Sequence, residues 1–113
     1  AIIGKNAEVR HCAFIRGNAI VGEGAVVGNS TEVKNAILFD GAQAPHYNYI
    51  GDSVMGHKAH TGAGAVTSNL KQDHSNVTVL KDGARVYPLS MVRGFVPANH
   101  IYKKAGEVAE IHD

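Results

Sequence analysis

The sequence predicts an all-β fold: a parallel β-helix in which each coil is a triangle of three short strands. Three observations carry this. An apolar residue returns every sixth position, a small residue keeps it company, and glycine or asparagine fills the turns between. In sixes the chain opens AIIGKN, AEVRHC, AFIRGN, AIVGEG, AVVGNS, TEVKNA, ILFDGA. The third place holds Ile3, Val9, Ile15, Val21, Val27, Val33 and Phe39, and the first holds Ala1, Ala7, Ala13, Ala19, Ala25, Thr31 and Ile37.

Six is not a helical period, because residues so spaced drift around an α-helix instead of lining one face. It suits a short strand followed by a tight corner, with a β-branched side chain turned inward. Glycine and asparagine tolerate the positive backbone angles that such corners need. Three sixes close a triangle, and successive triangles stack as parallel strands, which is the known reading of hexapeptide repeats. A β-sandwich is the competing reading, but its turns are usually spaced at about 8–12 residues. About four coils are expected, with a narrow core of Ala, Val and Ile. Such a prism is marginal alone, so association through its flat faces is expected.

The 113 residues make one domain. The β-helix is placed over 1–103, with a repeat region 1–70, a connecting loop 71–83, a final partial coil 84–103 and a tail 104–113. The chain opens already in the repeat, as a piece of a longer protein would. A net charge of +1 excludes the basic surface of a nucleic-acid binder. No apolar run is long enough to span a membrane. Cys12 is the only cysteine, so no internal disulfide forms and a reducing, cytoplasmic location fits.

Two features depart from the plain repeat. Arg16 and Lys34, eighteen apart, occupy the fourth place, where Gly4, Gly22 and Gly28 stand in other units. Eighteen residues is one coil, so the two cations stack about 4.8 Å apart. They either extend into water or clamp an anion such as a sugar phosphate. Later, at QAPHYNYIGD (43–52), the beat slips: Phe39 to Ile50 is eleven residues and Ile50 to Met55 is five. Pro45 stiffens this corner and restricts Ala44. His46 and Tyr49 follow at once, Asp52 is placed to orient an imidazole or to stay in the turn, and Asn69 lies one coil and a short slip further on.

The stretch from RGNAIVGEG to GAGAVTSN resembles the left-handed β-helix of hexapeptide-repeat acyltransferases. Within them it is similar to the acetyltransferase half of the bifunctional N-acetylglucosamine-1-phosphate uridylyltransferase. It is closer still to the C-terminal β-helix of related sugar-1-phosphate nucleotidylyltransferases. The H-x-x-Y-[IL]-G-D element is matched by His46, Tyr49, Ile50, Gly51 and Asp52, and GAG…N by Gly62, Ala63, Gly64 and Asn69. The left hand rests on this resemblance alone. The resemblance implies His46 and Asn69 as catalytic residues, His46 as the base that takes a proton from a sugar amine. Asn69 and Tyr49 would hold the substrate, and Arg16 and Lys34 its phosphate. Acetyl-CoA would be the co-substrate, lying between prisms of a homotrimer. A histidine suits the role, since its ordinary pKa of about 6.5 lies near neutrality. Three departures stand out. Ser75 stands where the family has a basic residue, which Lys71 would replace, and His60 replaces a family asparagine. Repeat counting also leaves the chain roughly thirty residues short of the family's coils. The missing coils favour an alternative, a non-catalytic β-helix serving assembly or regulation. A zinc site built on His57 and His60 with His46 or His11 is disfavoured, because H-x-x-H lacks the required spacing. No metal is expected.

Overall fold

The computed structural model describes residues 1–67, 77–103 and 108–111. Among them there is strand and turn but no helix, hence no helix long and apolar enough to cross a membrane. The strands form a parallel β-solenoid of five coils and the start of a sixth. The first face stacks β1 (Ile2–Ile3), β4 (Ile20–Val21), β7 (Ile37–Leu38), β10 (Ser53–Met55), β13 (Thr78–Leu80) and β16 (Phe95–Val96). The second stacks β2 (Glu8–Val9), β5 (Val26–Asn29), β8 (Gln43–His46), β11 (His60–Thr61), β14 (Arg85–Val86) and β17 (His100–Tyr102). The third stacks β3 (Phe14–Arg16), β6 (Glu32–Lys34), β9 (Tyr49–Gly51), β12 (Val66–Thr67) and β15 (Met91–Val92). A last strand, β18 (Val108–Glu110), pairs antiparallel with β17 and covers the edge of the second face.

Each strand alternates between core and outside, as a period of two requires. The inward residues are Val21, Leu38, Met55, Leu80 and Val96 on the first face, Val27, Ala44, Thr61 and Val86 on the second, and Val33, Ile50, Thr67 and Val92 on the third. Burying a side chain the size of Leu, Ile or Met contributes about 1.5–3 kcal/mol, so these columns supply the main stabilisation. Corner residues adopt positive φ: Gly41 at 72° and Gly64 at 74°, but also Lys58 at 59° and Tyr47 at 53°.

The inward residues correct the counting of the repeat. Leu38 is fully buried while Phe39 is 50% exposed, so Leu38 and not Phe39 holds the core place. With that change Leu38, Ala44 and Ile50 are evenly six apart, and QAPHYNYIGD keeps the beat. All the irregularity lies at one corner, where the third face passes to the first. There the step is six from Ile15 to Val21, five from Val33 to Leu38, five from Ile50 to Met55, thirteen from Thr67 to Leu80, and four from Val92 to Val96. The coil count also differs from the expectation of four. Thr78–Leu80, inside the stretch expected to be a connecting loop, forms β13 and opens a complete fifth coil in register with Ser53–Met55.

Candidate active site

Arg16 and Lys34 end their strands on the third face and are direct register partners, as their eighteen-residue spacing requires. Neither cation is bare. The Arg16 guanidinium hydrogen-bonds the carboxylate of Glu32, and Lys34 Nζ lies 3.6 Å from Asp52 Oδ2. The two carboxylates offset the repulsion of stacked like charges. The Glu32 hydrogen bond also raises Arg16 above its ordinary pKa, with smaller contributions from the Glu32 charge, Tyr49 and Asp52. Tyr49 belongs to the same cluster. It is the register partner of Glu32, and its ring folds over Gly51, where any side chain would collide with it. Asp52 thus stays in its turn at φ 49° and faces Lys34, a cation.

His46 sits at the opposite edge of the third face, as the exposed last residue of β8 before the chain turns into β9. Two neighbours fix this corner. Gly28 faces Pro45 across the ladder, and a Cβ on Gly28 would overlap the Pro45 carbonyl, so only glycine allows the coils this close. Asn48 then occupies an inward place where Thr31 and Ala65 stand in the neighbouring coils, and it is buried. Its Nδ2 donates to the carbonyls of Gly62 (2.8 Å) and Ala65 (3.0 Å), and its Oδ1 accepts from the His46 N–H at 3.1 Å. Its own N–H donates to Thr31 Oγ1, whose hydroxyl donates in turn to the Ala44 carbonyl. One residue therefore ties three coils together, and its side-chain amide holds the backbone of His46. Sequence reading passed over Asn48, because an asparagine after Tyr47 looks like an ordinary turn residue. The signal was its place in a column of small residues, Ala13, Thr31, Ala65 and Ser90.

His60 is the ionisable neighbour of His46. It projects from the second face, paired in register with Gln43 and Arg85. Partial burial lowers its pKa below the ordinary value, and the positive charges of Arg85 and His46 lower it further. Asn69 lies outside the described residues. Among those described, no three His, Cys, Asp or Glu side chains converge as a metal site would require.

So two sets of groups border the third face. The exposed imidazole stands at one edge, the two cations at the other, and Tyr49 lies on the strand between.

Comparisons with known proteins fit this geometry. The bifunctional protein GlmU of Nitratidesulfovibrio vulgaris is 43% identical over 84 residues, which are 74% of this chain and 18% of that protein. GlmU of Methanococcus maripaludis is 42% identical over 67 residues, 59% of this chain and 16% of the relative. The chain thus spans less than a fifth of the length of these curated relatives. Among solved structures, a hexapeptide transferase family protein from Anaplasma phagocytophilum superposes with a TM-score of 0.85 at 18% identity, over 98% of this chain and 68% of the other. The acetyltransferase domain of PglB from Neisseria gonorrhoeae, in complex with acetyl coenzyme A, gives a TM-score of 0.63 at 16% identity, over 91% of this chain and 57% of that one. At such identities the likeness establishes the fold alone, a hexapeptide-repeat β-helix. A profile of the GMPPB C-terminal domain matches residues 1–105. On that match, which takes in nearly the whole sequence, the chain belongs to the GMPPB C-terminal domain family.

Proposed function

We propose that this domain transfers an acyl group from coenzyme A to the amine of an amino-sugar phosphate. The carrying observation is the third face, with exposed His46 at one edge and the register pair Arg16 and Lys34 at the other. In this reading the sugar lies along the face, its phosphate on the cations and its amine beside the imidazole. Tyr49 and Asn69 hold the ring between. The amine nitrogen attacks the thioester carbonyl, forming the C–N bond, and His46 accepts the amine proton. The C–S bond then breaks, and the thiolate of coenzyme A takes up the proton. Corner N–H groups stabilise the oxygen as it gains charge. A structural relative bound to acetyl coenzyme A and the GlmU relatives support the choice of substrates.

The carboxylates of Glu32 and Asp52 do not rule out a phosphate. The Arg16–Glu32 pair lies largely in solvent and contributes little, the Lys34–Asp52 pair is partly buried, and a phosphate offers more charge and more acceptors to the same cations. A homotrimer is part of the proposal. The outward column of the first face is apolar throughout, Ile2, Ile20, Ile37, Val54, Val79 and Phe95 in register, and supports association there. The same column favours a second reading, in which the β-helix serves assembly and carries no chemistry.

The test is thiol release from acetyl-CoA in the presence of an amino-sugar phosphate. His46→Ala is expected to lower turnover by about 10²–10⁴-fold while circular dichroism and oligomer size stay unchanged. An unchanged rate removes His46 from the role. No heat of acetyl-CoA binding at millimolar ligand selects the assembly reading instead.

A further inference from the structure

The corners of the solenoid require positive φ, which glycine and asparagine adopt at least cost. Two large apolar side chains stand there nonetheless, Tyr47 at 53° and Leu89 at 59°. Leu89 follows Pro88, at a turn position that ordinarily goes to glycine or asparagine. The other non-glycine residues at positive φ among those described are asparagines, Cys12, Ser30, Asp52 and Lys58. Burial does not explain the exceptions, since Tyr47 is 61% exposed and Leu89 84%. Backbone strain kept at a bulky, exposed residue points to a use outside the fold.

Both residues lie on the corner column that carries His46. The Gly64 N–H donates to the His46 carbonyl at 3.0 Å, and the Leu89 N–H donates to the Ala63 carbonyl at 2.9 Å. Three corners are thereby in register: Pro45-His46-Tyr47, then Gly62-Ala63-Gly64, then Tyr87-Pro88-Leu89. The middle corner has no side chain larger than a methyl, and both of its neighbours are large. Leu89 folds down over Gly64 and the Pro88 backbone lies on Gly62, so a side chain on either glycine would collide. What stays open is exposed Ala63, one rung above His46. The outer two corners stand two rungs apart, about 10 Å. Carbon atoms touch at about 3.5–4 Å, so this slot admits one hydrocarbon chain.

We infer that the slot receives the acyl chain of the donor thioester, and that the group transferred is longer than acetyl. The inference rests on the acyl-transfer reading, in which the thioester carbonyl lies beside His46. From there an apolar path runs over Ala63 to Leu89 and Tyr87, with Tyr47 on the near side. A two-carbon group ends beside His46 and leaves Leu89 and Tyr87 without a role. Each methylene laid against them leaves water, which favours the longer chain by about two- to fourfold. The bonds made and broken are those of acetyl transfer.

Acetyl-, butyryl- and hexanoyl-CoA are the probes. They are compared in the intact protein by thiol release with an amino-sugar phosphate, and by calorimetry of each thioester alone. Hexanoyl-CoA is expected to exceed acetyl-CoA at least about tenfold in affinity and in kcat/KM. Leu89→Gly suits the corner backbone, so its melting temperature should be unchanged or higher while that ratio falls several-fold. Ala63→Leu fills the slot and should bring the ratio to about one. Equal use of all three thioesters, or a ratio that neither variant moves, overturns the inference and leaves acyl transfer standing. No heat and no thiol release with any of the three removes acyl transfer itself, and the inference with it. A smaller oligomer for Leu89→Gly, with the ratio unmoved, marks Leu89 as a contact between copies and overturns the inference as well.

Discussion

The two corners that flank the third face differ in kind. The corner into it, which carries His46, keeps a six-residue step in every coil, as Val27 to Val33, Ala44 to Ile50, Thr61 to Thr67 and Val86 to Val92. The corner out of it, which follows Arg16 and Lys34, varies from four residues to thirteen. The first is pinned from inside by Asn48 and squeezed by Gly28 against Pro45. The second has different ties, with Asn35 Oδ1 accepting the exposed Asn18 N–H at 2.9 Å and Thr67 Oγ1 accepting the buried Gly51 N–H at 2.9 Å. Length is therefore fixed where a buried asparagine amide and a glycine–proline contact lock the corner, and it varies where hydroxyls of Ser53 and Thr67 supply the interior hydrogen bonds. The candidate base stands on the fixed corner. The candidate anion seat borders the variable one, and its side chains are long enough to absorb the difference.

One experiment attacks this contrast directly. A glycine inserted between Tyr47 and Asn48 should displace the Asn48 amide and cost about 3–5 kcal/mol in urea unfolding, through buried groups left without partners. The same insertion between Asn35 and Ala36 should cost only about 1 kcal/mol. Equal costs would erase the distinction. Next in size, Gly28→Ala should lose about 3 kcal/mol, because the added methyl meets Pro45 backbone that has no room to move. Asn48→Ala should lose about 2–3 kcal/mol by stranding the carbonyls of Gly62 and Ala65, and the His46 amide should exchange faster with deuterium.

Smaller effects sharpen the other side of the comparison. Glu32→Gln should leave the melting temperature unchanged, since the ion pair is exposed, yet tighten sugar-phosphate binding a few-fold in calorimetry. A looser complex would mean that the carboxylate helps to hold the ligand. His60 should make stability depend weakly on pH. Its folded pKa lies below the unfolded value of about 6.5, so the unfolded chain takes the proton first. Stability then falls as pH drops below about 6.5 and levels off once the folded imidazole is also protonated. His60→Gln should flatten that part of the melting profile between pH 7 and pH 5.

Much of this was legible in the residues. The eighteen-residue spacing of Arg16 and Lys34 reads directly as a stacked pair, because no short corner intervenes between them. The run Ile37-Leu38-Phe39 could not be read, since three apolar residues in a row offer no period and the five-residue corner before them shifts the beat by one. The fifth coil was hidden because six-residue counting stops after Thr67 and is met again only at β13. Asn48 was hidden by its chemistry: a polar side chain inside a prism is unfavourable unless fully hydrogen-bonded, and only the coordinates show that it is.

A stack of parallel strands has two open rims, and unpaired rims invite other molecules to extend the ladder. At the rim of the second face the chain supplies its own plug: β18 runs backward along β17 and takes up that rim's hydrogen-bonding groups. A reversed strand cannot be continued as another parallel coil, so growth of this ladder past Tyr102 would first require peeling it away. Head-to-tail filaments of these prisms are thereby disfavoured from that side.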